Sequence, residues 1–142
     1  MMMDKVINAY MKLIYHQPRP FMIDSTIISY SCSKGFGNPS GHSSAAWSFA
    51  IILFLDIFHG MPHCKNQRRL QDVFFPSHLT YLVGLLLALC WVISLPFSRF
   101  ILGVHSLDQL IYGSSIGLLL GLTMHFFIRD HLLSHIEKVI NF

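Results

Sequence analysis

A chain of 142 residues, 53% of them hydrophobic and only 12% charged, is one domain long and too apolar for an ordinary soluble protein. Its formal net charge of +3 is small and scattered, which excludes a nucleic-acid-binding surface as the main function. The composition therefore predicts a single domain, residues 1–142, whose main partner is a lipid bilayer.

The N-terminal segment, Met1 to Tyr15, has apolar residues at helical spacing but is too short to cross a membrane. The prolines of Gln17-Pro18-Arg19-Pro20 end this partial helix, because proline lacks an amide proton and restricts the residue before it. The following stretch, Phe21 to Asn38, is predicted to be a loop.

Three later apolar runs have the length of membrane spans, since about 20 helical residues cross the hydrocarbon core. These runs are Pro39 to Phe58, Leu79 to Phe97 and Leu110 to Ile128. Pro39 is expected at the first helical position of the first run, with Asn38 or Ser40 as its cap. The pattern predicts an all-α fold: a polytopic membrane helical bundle of about three full spans plus a partial N-terminal helix.

The distribution of positive charge predicts the orientation of these spans. Loop 61–78 is the most basic connection and is expected in the cytoplasm. By the count of crossings, the C-terminus is also cytoplasmic, and Arg99 and His105 lie in a short connection on the opposite face. Gly113, Gly117 and Gly121, at four-residue intervals in the last span, predict a face where two helix backbones approach closely.

Other polar residues in apolar surroundings have simpler interpretations. His59, His63 and Cys64 are not expected to bind a metal, because no fourth ligand accompanies them. Asp56 and His125, near the inner ends of their spans, are expected to be interfacial or paired between helices.

Two histidines lie at helix starts that face the same side of the predicted membrane. His42 is at the beginning of the first span and His105 immediately precedes the last, so the free amides and positive dipole ends of both helices point into one region. Lys12, Arg19 and Arg99 add up to three cations, which suits a bound phosphate. One imidazole could attack phosphorus while the other donates a proton to the departing oxygen.

Three motifs in this order carry a family resemblance. They are Lys12, six residues, then Arg19-Pro20; Pro39-Ser40-Gly41-His42; and Ser98-Arg99, five residues, then His105. Together they resemble the signatures of the type 2 phosphatidic acid phosphatase superfamily, which includes glucose-6-phosphatase, lipid phosphatases and vanadium haloperoxidases. The resemblance extends from Lys12 to about Gly121.

The resemblance implies a role for each matching residue. His105 corresponds to a nucleophile that forms a phosphohistidine, and His42 to the general acid that later activates water. The expected phosphoryl-binding residues are Lys12, Arg19, Ser40, Gly41 and Arg99. Neither a metal nor a cofactor is implied.

One position departs from the usual family pattern. The family commonly has aspartate four residues after the nucleophilic histidine, whereas here that residue is Gln109, with Asp108 three residues after His105. Either side chain can share a helix face with His105 and orient its ring. The glucose-6-phosphatase branch has glutamine there, and the run from Cys32 to His42 also resembles that branch, so Gln109 is favoured.

The resemblance favours a phosphatase for a phosphate monoester or pyrophosphate, with a site facing the lumen of the endoplasmic reticulum. A lipid phosphate is the favoured substrate, because a site at the membrane interface suits an amphiphile, and a sugar phosphate is the rival. The family normally has further spans ahead of the first motif, so the chain is expected to be a fragment, a shortened gene product or a subunit completed by a partner. The alternatives are a non-catalytic membrane subunit that retains the site by descent and a vanadate-dependent haloperoxidase.

Overall fold

The computed structural model describes residues 2–31, 34–58 and 78–140. Within these ranges every regular element is helical and no strand occurs. The elements are α1 (Met2–Tyr15), α2 (Pro20–Ile23), α3 (Gly41–Phe58), α4 (His78–Ile101), α5 (Leu107–Thr123), a π-helical segment (Met124–Ile128) and α6 (Arg129–Ile140). In this part of the chain three helical stretches, Gly41–Phe58, His78–Ile101 and Leu107–Ile128, are long and apolar enough to cross a membrane. The predicted all-α membrane bundle is confirmed.

Several predicted boundaries at the candidate site were wrong. Helix α3 begins at Gly41 and not at Pro39, because the amide of Ser40 donates to the carbonyl of Gln109 (3.1 Å) before the helix starts. Ser40 then caps α3, with its Oγ accepting the amide of Ser43 at 3.5 Å.

Arg99 lies in the last turn of α4 and not in the connection that follows. The helix passes through Pro96 and ends at Ile101, four residues beyond the predicted end of the apolar run. A helix is favoured here because backbone groups left unpaired in lipid are costly. The predicted loop after α1 also contains the short helix α2, which begins at Pro20.

The glycine face of α5 packs directly on α3. A Cβ atom added at Gly113 would lie 2.5 Å from the carbonyl oxygen of Ser40, and one at Gly117 would collide with the carbonyl of Ser44. The predicted close approach of helix backbones is confirmed. Its consequence is that the start of α3 and the start of α5 lie side by side, which joins two of the three motifs.

The surface of the bundle is largely apolar. Large side chains such as Leu87 and Ile111, both 66% exposed, point away from the interior, as suits a chain surrounded by lipid. The buried apolar core is correspondingly small and consists of Ala46, Ala50, Val92, Val104 and Leu110.

An ion-paired cluster joins α3 to the end of the last span. Nδ1 of His125 lies 3.0 Å from Oδ1 of Asp56, and Arg129 pairs with the same carboxylate. The expectation that Asp56 and His125 are paired between helices is confirmed. Cys32, His59, His63, Cys64 and loop residues 61–77 lie outside the described residues.

Candidate active site

A pocket of about 430 Å³ lies where α1, α3 and α4 meet the connection between α4 and α5. Six of the nine residues singled out from the sequence line it: Lys12, Arg19, Gly41, His42, Arg99 and His105. The lining also includes Asp4, Lys5, Asn8, Ala9, Ala45 and Val104. Residues from three distant motifs therefore share one cavity.

His105 reaches this pocket because the chain turns sharply after α4. Gly103 has φ +67, and a Cβ atom there would lie 3.1 Å from the carbonyl oxygen of Ile28. Only glycine adopts this left-handed conformation without strain. The turn leaves the side chain of His105 buried, with 4% of its surface exposed.

Gln109 fixes the orientation of the His105 ring. Its Nε2 donates to the carbonyl of Pro18 at 3.0 Å, and its Oε1 accepts the amide of Ser106 at 3.4 Å. Because a carbonyl can only accept and an amide N–H can only donate, these two contacts assign the two ends of the Gln109 side chain. Oε1 also lies 3.1 Å from Nδ1 of His105, so Nδ1 must carry the proton.

Arg19 supplies a second constraint on the same ring. Its Nη1 lies 3.2 Å from Nε2 of His105 and 3.0 Å from the carbonyl oxygen of Val104, while its Nε donates to the carbonyl of Gly35 at 3.0 Å. A guanidinium group can only donate, so Nε2 of His105 must accept and carry a lone pair. Both neighbours of the ring thus favour the same tautomer, with Nε2 facing the cations.

The environment keeps the His105 ring neutral. Burial, followed by the positive charge of Arg19, lowers the pKa of His105 to about 4, although the hydrogen bond that His105 donates to Gln109 opposes this shift. Glutamine carries no charge and cannot stabilise an imidazolium as a carboxylate would. At neutral pH the ring is therefore neutral, and its lone pair lies on Nε2, where it accepts the hydrogen bond of Arg19.

The cations of the pocket have no carboxylate partner within 4 Å among the described residues. Burial and then the charge of Arg19 lower the pKa of Lys12, and burial lowers the pKa of Arg19. Nε of Arg99 is buried and has no hydrogen-bond partner in the described part of the chain. An anion bound between these three side chains would offset their mutual repulsion. It would also give Nε of Arg99 a hydrogen-bond acceptor.

Three of the nine predicted site residues, Ser40, Asp108 and Gln109, do not line the pocket. Ser40 is completely buried, and its hydroxyl oxygen accepts the hydroxyl of Ser43 at 3.0 Å, so it shapes the start of α3 and does not face the cavity. The carboxylate of Asp108 accepts a hydrogen bond from Gln17 at 2.9 Å. Gln109, and not Asp108, is the residue bonded to the ring of His105.

Several residues that support this arrangement were not predicted from the sequence. The amide of Gly37 donates to the carbonyl of Gln17 at 2.8 Å, and a Cβ atom at Gly37 would lie 2.5 Å from Oε1 of Gln109. In the sequence, Gly35 and Gly37 are notable only as part of the run before His42. That run does not predict the contacts of Gly37 with Gln17 and Gln109. Asp4 and Asn8 precede Lys12 by eight and four residues, and this spacing was the available signal that they share its helix face.

Comparison with known proteins agrees with the geometry. The family model described as "PAP2 superfamily" matches residues 1–132. The chain is 32% identical over 127 residues to a dolichyldiphosphatase of Saccharomyces cerevisiae, covering 89% of this chain and 48% of the relative. It is 28% identical over 128 residues to dolichyldiphosphatase 1 of Homo sapiens and to that of Callithrix jacchus, covering 90% of this chain and 50% of each relative.

The chain thus spans about half the length of the curated relatives it matches. No solved structure matches it. The family match nevertheless covers nearly the whole chain and all three motifs that form the pocket. The chain belongs to the PAP2 superfamily.

Proposed function

We propose that this chain forms the catalytic core of a membrane-bound phosphatase that transfers a phosphoryl group to His105 and then to water. The observation that carries the proposal is the state of the His105 ring. Its Nδ1 proton is directed to Gln109, and its unprotonated Nε2 lies among three cations. A neutral imidazole in this tautomer is a nucleophile directed at the position where a phosphate would bind.

In the first step, Nε2 of His105 attacks phosphorus as the bond from phosphorus to the leaving oxygen breaks. Arg19 transfers its Nη1 hydrogen bond from Nε2 to a phosphoryl oxygen, which frees the lone pair. Lys12 and Arg99 stabilise the charge on the remaining oxygens, and protonated His42 donates its proton to the leaving oxygen. The products are the protonated leaving group and a phosphohistidine at position 105.

In the second step, His42 is neutral and takes a proton from water as that water attacks phosphorus. The bond between phosphorus and Nε2 breaks, inorganic phosphate leaves, and His105 returns to its neutral form. The amide of Gly41 at the start of α3 is the backbone donor on the pocket wall, since the first amides of a helix have no partner within the helix. The mechanism assigns no step to a metal ion.

The substrate we favour is a lipid diphosphate. The relatives are named dolichyldiphosphatases, and a hydrolase of that kind breaks an acid anhydride and releases orthophosphate. This changes the preference from a phosphate monoester to a diphosphate, with a lipid monoester as the second choice. We also propose the endoplasmic reticulum as the location, with the pocket facing the lumen and loop 61–78 and the C-terminus in the cytoplasm.

The test is phosphate release by the 142-residue chain in detergent, with a polyprenyl diphosphate, phosphatidate, a sphingoid phosphate and glucose 6-phosphate as substrates. We expect release from the diphosphate, loss of release in His105→Ala and His42→Ala, and no change in His131→Ala, which alters an exposed histidine on α6. Phosphate release that survives His105→Ala would refute the mechanism.

Two further results separate the alternatives. A folded chain that releases phosphate from none of these compounds would favour a non-catalytic subunit, which retains the pocket without the activity. Orthovanadate is expected to inhibit phosphate release. Oxidation of bromide by the vanadate-loaded chain would instead favour a haloperoxidase.

A further inference from the structure

One face of α1 extends the pocket beyond the residues used in the proposed mechanism. Asp4, Asn8 and Lys12 follow one another at four-residue intervals, and all three line the cavity. Asp4 and Asn8 are buried although both are polar, with 6% and 5% of their surfaces exposed. Polar atoms this deeply buried normally have at least one hydrogen-bond partner.

The side chain of Asn8 is held in one orientation. Its Nδ2 donates to the carbonyl oxygen of Asp4 at 2.8 Å and to Oδ1 of Asp4 at 3.1 Å. The hydroxyl of Ser44 on α3 donates to the same Asp4 oxygen, which ties the pair to the neighbouring helix. Both partners of Nδ2 are acceptors, so exchanging the two ends of the amide would put oxygen against oxygen.

This orientation leaves one acceptor unused. Oδ1 of Asn8 is buried and has no hydrogen-bond partner among the described residues. A buried carbonyl oxygen without a hydrogen-bond donor destabilises the folded state, so a donor is expected nearby. Asn8 lines the pocket, so a donor within the pocket can reach this oxygen.

Lys12 carries a flexible donor one helical turn beyond Asn8 on the same face of α1. Residues four apart on a helix are neighbours, and an ammonium group offers three donors. Lys12 is half-buried, and its ammonium has no hydrogen-bond partner in the described part of the chain. Its charged neighbours in the pocket are Asp4 and Lys5 on α1, and Arg19, His42, Arg99 and His105 from the other segments.

We propose that Asn8 is a positioning residue whose Oδ1 accepts a hydrogen bond from the Lys12 ammonium and holds it against the oxygens of the bound phosphoryl group. The inference rests on the proposed function, in which Lys12 contacts those oxygens. Asp4 and Ser44 serve to fix Asn8, and through it they fix the reach of Lys12.

The hydrogen bond from Lys12 to Asn8 should affect the pH at which the ammonium group loses its proton. A carbonyl oxygen that accepts from an ammonium group stabilises the charged form, so it opposes the effect of the buried, cationic surroundings. Without this acceptor, Lys12 loses its proton at a lower pH. Phosphate binding, which needs the charge, should then weaken at a lower pH than in the wild-type chain.

The experiment measures binding of inorganic phosphate to the 142-residue chain in detergent by titration calorimetry between about pH 8 and 11, where phosphate itself remains a dianion. We expect Asn8→Leu to lower the pH at which binding is half lost by about one unit. Tyr10→Phe is the matched control, because Tyr10 lies on α1 and is 66% exposed, and it should leave this midpoint unchanged. Lys12→Arg should remove the alkaline loss, because arginine stays charged in this range.

The outcomes distinguish the two proposals. A wild-type chain that binds no phosphate refutes the proposed function together with the inference. If the wild-type chain binds phosphate and the pH at which binding is half lost is the same in Asn8→Leu, the inference alone is refuted.

If circular dichroism shows that Asn8→Leu does not fold, Asn8→Ser replaces it, since a serine hydroxyl can still pair with Asp4 but is too short to reach Lys12. The same downward shift is then expected, and an unshifted midpoint again overturns the proposal.

Discussion

Replacing Gln109 with glutamate should make activity more sensitive to acid. Oε1 of Gln109 lies 3.1 Å from Nδ1 of His105, so Gln109→Glu would put a carboxylate against the ring at hydrogen-bond distance. The proposed nucleophile must be neutral to attack phosphorus. A negative charge beside the ring favours the protonated form and removes the nucleophile at a higher pH.

The size of the effect follows from the surroundings of the ring. Burial and the charge of Arg19 lower the pKa of His105 to about 4, so the wild-type chain should lose kcat/KM only as the pH falls through that value. An opposite charge within hydrogen-bond reach shifts a pKa by about 1 to 3 units, or roughly 1.4 kcal/mol per unit. In Gln109→Glu the loss of kcat/KM on acidification should therefore occur between about pH 5 and pH 7.

The assay is phosphate release from the best substrate, measured as kcat/KM between about pH 3 and pH 8, a range that includes the expected wild-type loss. Asp108→Asn is the control, because it removes a carboxylate one residue away that pairs with Gln17 and not with the ring. In this variant kcat/KM should fall at the same acidic pH as in the wild-type chain. Gln109→Glu also loses the hydrogen bond to the carbonyl of Pro18, so its melting temperature must be measured alongside. If the Gln109→Glu chain folds and its kcat/KM falls at the same acidic pH as that of the wild-type chain, the assigned contact between residue 109 and His105 is refuted.

Two glycine substitutions test the packing on which the site depends. Gly37→Ala places a Cβ atom about 2.5 Å from Oε1 of Gln109 and should lower kcat/KM by about 10- to 100-fold, because the ring of His105 loses its orientation. Wild-type kcat/KM in this variant would contradict the contact. Gly117→Val collides with the carbonyl of Ser44 and should reduce the free energy of unfolding by about 1–3 kcal/mol, as measured by thermal denaturation in detergent against the exposed control Ser115→Val. Equal stability of the two variants would argue against the close packing of α3 and α5.

The spans could be predicted from the sequence because a bilayer imposes a length and an apolar composition on them. The close packing at Gly113 and Gly117 followed from spacing alone, since small residues at four-residue intervals lie on one face of a helix. Helix ends were less predictable. The start of α3 depends on the bond between the Ser40 amide and the Gln109 carbonyl, a contact between residues 69 positions apart that no local pattern contains.

The pocket was anticipated through motifs whose residues carry charge or chemistry, and Gln109 was anticipated as the residue that orients His105. The contacts of Gly37 and Asn8 were not anticipated. Lys12, Arg19 and Arg99 are conspicuous in an apolar chain, whereas Gly37 and Asn8 are ordinary residues until their neighbours are known. Gly37 matters because of the volume of the Gln109 amide, and Asn8 because one of its two polar ends is already occupied. Both facts belong to the tertiary structure.

Glutamine at position 109 links the orientation of the proposed nucleophile, His105, to the charge of the pocket. A carboxylate there would orient His105 equally well, but it would also offset the charge of Arg19 and raise the basicity of the ring. The neutral amide orients the ring through backbone contacts to Pro18 and Ser106 and leaves the positive charge of the pocket uncompensated at that point. In the proposed mechanism a phosphate dianion supplies the missing negative charge, so substrate binding and activation of the proposed nucleophile both depend on the absence of a carboxylate beside the ring.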